Sequence, residues 1–222
     1  MEGIPTYGTD HSVIDVIAAV NAVRMRSGLR THPLGHLPVT VVRGWRIVGL
    51  PVALVQVAGW SGSVAGVVSM DHAVHNGLCT LPELRYALAS VPTHQRAEAA
   101  QAITLVDPAC ESVGESRTRL LLGDLGFASR SQVRIRRPGG TIARVDFLVD
   151  GLVIVEFDGL VKYAGATGRD ALAAEKARES DLLALGFEVV RLTWSDLDDS
   201  AEVARRIRVA RNRAILRQRA AG

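Results

Sequence analysis

Lysine is almost missing from this chain. Of its 26 basic residues only two, Lys162 and Lys176, are lysine, and the rest are arginine. A coding sequence rich in G and C favours Arg, Ala, Val and Gly, so each retained lysine is a candidate for chemistry. Cysteine is nearly as scarce. Cys79 and Cys110 stand alone with no CxxC spacing, which indicates neither a disulfide framework nor a zinc knuckle. Long apolar runs are missing too: the longest, Ile47 to Gly59, is interrupted by Pro51 and Gln56 and is too short to span a bilayer. No basic residue precedes Arg24 and no continuous apolar core suits a signal peptide. A soluble cytoplasmic protein without membrane attachment is expected.

Other absences narrow the chemistry. The glycine-rich stretches match neither a P-loop nor a dinucleotide fingerprint. Ser61, Ser63 and Ser195 have no nucleophile context. His72 and His75 lie three apart without an acidic partner pattern and read as core or surface histidines. What remains is a 222-residue chain, 48% hydrophobic and 22% charged, with a net charge of +3. It is long enough for one large or two small domains. Its mild basic bias permits nucleic-acid binding without requiring it.

The first half carries no clustered chemistry. Met1 to His11 reads as a flexible lead, and Val13, Ile14, Ile17, Val20 and Val23 recur near helical spacing between Ser12 and Arg26. A connector from Thr31 to Pro38 leads to two short β-like runs, Val39 to Val42 and Trp45 to Val48. Helices are expected over Gly62 to Asn76, from the capping box Thr80-Leu81-Pro82-Glu83 to about Ser90, and over Gln95 to Val106. A boundary is expected between Asp107 and Ser112, giving an N-terminal region over 1–110, a domain over 111–199 and a basic helix over 200–222.

The second half is organised around Arg144 to Gly159. Two β-branched runs flank Asp150-Gly151 and read as a hairpin. Val145, Phe147 and Val149 alternate on one strand, and Val153, Val155 and Phe157 on the other. A two-residue loop would put these sets on opposite faces. The odd loop Asp150-Gly151-Leu152 unites them on one clean apolar face and sets Asp146 opposite Glu156. Asp146, Glu156 and Asp158 are then expected to converge, and three carboxylates repel unless a cation is present. Before the hairpin, Ser112-Val113-Gly114-Glu115 opens a helix closed by Gly126, and Ser131 to Arg137 alternates as a strand. After it come a helix from about Asp170 to Leu185 and a buried-type strand from Glu188 to Thr193. The expected fold is α/β, with a mixed sheet flanked by helices in the order α-β-β-β-α-β, behind a smaller, mostly helical α+β domain.

Glu115, Asp146, Glu156-Phe157-Asp158-Gly159 and Lys162, in this order on helix, strand, strand and beyond, resemble the core of the PD-(D/E)XK nuclease superfamily. The stretches Ala174-Glu175-Lys176-Ala177-Arg178, Leu185-Gly186-Phe187 and Val190-Arg191-Leu192-Thr193-Trp194 resemble the very-short-patch-repair endonucleases within it. The resemblance covers roughly Glu111 to Asp198. It implies a restriction-endonuclease-like sheet and hydrolysis of DNA phosphodiester bonds with Mg²⁺ or Mn²⁺, in a defence, repair or toxin–antitoxin setting. Asp146 and Glu156 are then the principal metal ligands, Glu115 and Asp158 the supporting ones, and Lys162, with Lys176 as alternate, the catalytic cation. In the usual pattern a lysine stands two residues after the second acid, where this chain has Asp158.

Bland readings exist beside these roles: a capping box accounts for Glu115, turn chemistry for Asp158, and an ion pair with Arg144 for one of the strand acids. Arg134, Arg136 and Arg144 on the strands, with Arg205, Arg208 and Arg211 on the C-terminal helix, are the candidate nucleic-acid contacts. That helix also reads as a solvated element on an apolar seam, or as one paired with a partner chain, a homodimer included. The Val39 to Val106 region, especially Gly77-Leu78-Cys79-Thr80-Leu81 leading into the Glu83 helix, resembles the middle section of actinobacterial proteins that join an AbiEi-type antitoxin or regulator segment to a nuclease-like domain. That resemblance implies the competing function, a non-catalytic scaffold that binds DNA or a toxin.

Overall fold

The computed structural model describes residues 3–35, 37, 39–137, 140–159 and 168–221. Lys162 lies outside them. The chain divides into two units between Pro108 and Ala109.

β-Branched residues decide the start of the first unit against the expected helix over Ser12 to Arg26. Ile14–Ala18 (β1) runs parallel to Leu29–Pro33 (β3), and Arg24–Arg26 (β2) runs antiparallel to β3. A run dense in Val and Ile is stiff at χ1 and packs better on a pleated surface than in a helical turn. Polar contacts add to the pairing. Asp15 on β1 accepts from Arg30 Nε at 2.6 Å and Nη2 at 2.9 Å, and lies 2.6 Å from His32 Nε2. The buried His32 ring stacks on Trp60 at 3.8 Å. Residues 31–33, read from sequence as connector, therefore belong to a strand. The expected flexible lead is tied to the helices where Ser69 Oγ donates to the Pro5 carbonyl at 3.0 Å.

The two expected β-like runs, Val39–Val42 (β4) and Trp45–Val48 (β5), are strands, and they pair through an Arg43-Gly44 turn with both residues in the left-handed region. Four helices follow: Leu50–Ser61 (α1), Ser63–His75 (α2), Leu81–Ala87 (α3) and Thr93–Thr104 (α4). Both halves of the Thr80–Glu83 capping box are formed at α3. The sequence reading missed α1, whose apolar residues run around the helix rather than along one face, as befits a buried helix.

The second unit is a mixed α/β layer. Val113–Asp124 (α5) leads into Ser129–Arg137 (β6), Gly140–Val149 (β7) and Val153–Phe157 (β8); then come Gly168–Ala184 (α6), Glu188–Leu192 (β9) and Ser200–Ala221 (α7). The sheet order is β6-β7-β8-β9, antiparallel except for the parallel β8–β9 pair, which α6 connects. Val149 pairs with Val153, so the loop is the odd one, Asp150-Gly151-Leu152. Asp150 and Gly151 both take positive φ, at 51° and 72°.

The single apolar face expected of the hairpin is a correction. Both faces are buried. Phe147, Val149, Val153 and Val155 pack with Val190 and Leu192 against Leu122 of α5 and Val203, Ile207 and Ala210 of α7. On the other side Leu148 and Ile154 pack with Ile135, Ala143 and Leu182 of α6, and Val145 joins this second cluster rather than the first. The switch falls where Gln132, opposite Asp146 in the register, adopts φ 52° and interrupts the ladder. A sheet with a crossover helix needs both faces covered, so its strands carry apolar residues at both parities.

Candidate active site

Three elements bring acids toward the point where the β7–β8 ladder ends. The hydrogen-bonded pairs run from Val149–Val153 to Phe147–Val155. One step further the register sets Asp146 against Glu156, and there a side chain replaces the backbone partner: the Phe157 N–H donates to Asp146 Oδ2 at 2.9 Å. Glu115 comes from the first turn of α5. It is buried, and its position is fixed by the local sequence: Ser112 Oγ caps the Glu115 N–H at 3.1 Å and donates back to Oε1 at 2.8 Å. Its Oε2 accepts from the Glu111 N–H at 3.1 Å and from Gln132 Nε2 at 2.7 Å. The capping role and the acid cluster thus coexist in one residue.

Asp146 feels its neighbours. Burial comes first in pushing its carboxyl up to about 6, and the charges of Glu115 and Glu156 push the same way; the Phe157 N–H and Arg144 pull against them. This is the behaviour of a carboxylate held near others of its sign in a partly dry setting.

Glu156 is already engaged. Arg178 of α6 grips it through both oxygens, Nη1 to Oε1 at 2.8 Å and Nη2 to Oε2 at 3.0 Å. The same guanidinium reaches Glu175 through Nε at 2.9 Å and Nη2 at 2.7 Å. Arg191, paired with Glu156 in the β8–β9 register, approaches Glu156 at 3.7 Å and bonds Glu175 and Glu179. Hydrogen bonds from Arg178 hold the Glu175 carboxyl below its usual range. Among the described residues no group of three or more His, Cys, Asp or Glu side chains is gathered to hold a metal ion.

Against the sequence expectations, Glu115, Asp146 and Glu156 come within electrostatic reach of one another. Asp158 continues β8, its N–H donating to the Leu192 carbonyl at 2.7 Å. Lys176 does not join them: it is exposed on α6, while its neighbours Glu175, Arg178 and Glu179 turn toward β8 and β9. Arg144 pairs with Glu111, not with a strand acid. Of the candidate nucleic-acid contacts, Arg205 pairs with Glu202 and Arg211 lies 3.4 Å from Asp150. Arg134, Arg136 and Arg208 are exposed and form no ion pair among the described residues. Arg134 stands directly opposite Arg144 across β6 and β7.

Sequence reasoning missed Arg178, Arg191 and Gln132. A signal for the first two existed: Glu175 and Arg178 are three apart on a helix, and Arg191 interrupts an apolar strand parallel to the one that carries Glu156. Gln132 had none, because its left-handed backbone follows from tertiary pairing.

No family model, curated protein or solved structure matches the chain.

Proposed function

We propose that the chain is a Mg²⁺-dependent nuclease that hydrolyses DNA phosphodiester bonds at the Asp146–Glu156 cluster. The observation that carries this reading is Asp146 itself: a partly buried carboxylate at a ladder end, flanked by Glu115 and Glu156, with its carboxyl raised to about 6. Clustered like charges are costly unless a cation joins them. The element order α-β-β-β-α-β of the second unit supports a restriction-endonuclease-like assignment.

The chemistry of the donors, carboxylates with no thiol or imidazole, suits a hard divalent cation. Asp146 and Glu156 would hold the ion, which would lower the pKa of a bound water and offset charge on the phosphate. Around it, this chain's own groups have separate tasks. Glu115, held by three donors, adds negative potential without moving. The Phe157 N–H fixes the Asp146 carboxylate in one orientation. Arg134, exposed and opposite Arg144 across two strands, offers a phosphate contact beside the Arg144–Glu111 pair. Lys162 stays the proposed catalytic cation.

The test is direct. Purified protein with Mg²⁺ or Mn²⁺ should nick plasmid DNA, and Asp146→Ala should reduce nicking at least 100-fold; unchanged nicking in that variant would remove Asp146 from the site.

One observation favours a second reading, a non-catalytic scaffold that binds DNA or a toxin. Arg178 already neutralises Glu156 through both oxygens. Salt-dependent DNA binding by a protein that never cleaves at any metal concentration would select this reading.

A further inference from the structure

The Arg178 guanidinium stands on the carboxylate that the nuclease reading assigns to the metal. We propose that Arg178 is a resident counter-cation that keeps the acid cluster closed, and that a divalent ion reaches Glu156 only when Arg178 releases it. The inference rests on the metal-dependent reading above and adds a positioning and gating role for one residue.

The geometry supports exchange rather than a fixed structural pair. A bidentate guanidinium–carboxylate contact satisfies the oxygens that a cation would use, so the two occupants of Glu156 are mutually exclusive. Arg178 has a second acceptor in place. Its Nε and Nη2 already bond Glu175 at 2.9 and 2.7 Å, so on leaving Glu156 the guanidinium itself keeps a carboxylate partner. Arg191 sits beside the same carboxylates, 2.9 Å from Glu179 and 3.7 Å from Glu156. Among the described residues, Glu156, Glu175 and Glu179 thus face two guanidiniums, one positive charge fewer than their three carboxylates. Removal of one partner from a part-buried ion pair leaves an uncompensated charge behind; on Glu156 that charge is what a divalent ion would take up. Lys176, two residues earlier on α6, is exposed and cannot replace Arg178 from its present position.

The experiment is Mn²⁺ binding by the full-length protein, read by isothermal titration calorimetry and by the loss of free-Mn²⁺ electron paramagnetic resonance signal. It compares wild type, Arg178→Gln and Arg178→Lys. Arg178→Gln should bind Mn²⁺ about 10-fold or more tightly than wild type. Arg178→Lys, which keeps the charge but loses the two-pronged grip, should fall between them and serves alone if the glutamine variant does not fold. Equal affinity in the folded variants and wild type would overturn the role of Arg178 while leaving metal binding intact. Absence of binding in all of them would overturn the metal reading and this inference with it.

Discussion

A single carboxylate carries the most consequence. Asp146 is raised to about 6 in the folded chain, first by burial, against an ordinary value of 3.8. When the folded value lies above the unfolded one, an acid destabilises the fold at high pH, and the cost fades as pH falls through that window. Asp146→Asn keeps an oxygen to accept the Phe157 N–H and loses the charge. It should therefore be more stable than wild type at pH 7.5 by about 1 kcal/mol, the electrostatic cost being reduced by solvent screening. The gain should shrink between pH 6 and 4 and vanish below about 4. Urea unfolding at several pH values measures it, and a pH-independent difference would contradict the electrostatic account. Ser112 offers a second point. Its hydroxyl both caps α5 and holds Glu115, so Ser112→Ala should cost about 1 kcal/mol in the same assay.

Among elements, the contact of α5 with β8 is the least forgiving. A Cβ added at Gly114 would lie 2.0 Å from Phe157 Cε1, with the rest of the ring edge close behind. That ring also meets Trp194 edge-on at 4.9 Å, so it has little room to retreat. Gly114→Ala should destabilise the second unit by about 2–3 kcal/mol, seen as a lower thermal midpoint. Gly66→Ala should act likewise in the first unit, where the new methyl would meet Ala58 Cβ at 2.3 Å. Elements also show what the sequence made legible. Alternation and turn chemistry sufficed for the hairpin and its loop, and the capping box at α3 and the Ser112 cap at α5 for the starts of those helices, because each is decided within a few residues. The segment from Ser12 to Arg26 was misread because strand pairing with Leu29–Pro33, a tertiary event, overrode a weak helical period. Val145 was misplaced for a similar reason, the ladder break at Gln132.

Across the whole molecule, charge is unevenly engaged. Arg144, Arg178, Arg191, Arg205 and Arg206 have carboxylate partners, whereas Arg134, Arg136 and Arg208 are exposed with none among the described residues. If DNA is the substrate, those three candidate contacts should contribute to the salt dependence of binding. Arg134→Ala and Arg208→Ala should each lower the slope of log affinity against log salt by about 1, measured by fluorescence anisotropy; Arg205→Ala should change it less. Legibility at this scale was partial. The acids were visible because each interrupts an apolar strand, but their neutralisation by Arg178 was not, since a helix–strand contact 22 residues apart leaves no periodic trace.

The three-residue turn between β7 and β8 has a consequence for descent. One residue gained or lost there, if the ladder shifted with it, would trade the side chains of one strand between the face covered by α5 and α7 and the face covered by α6, while two would merely enlarge the bend. Length changes that survive in lineages of this gene should therefore come in even steps. An odd step should persist only where a compensating bulge has arisen in a neighbouring strand.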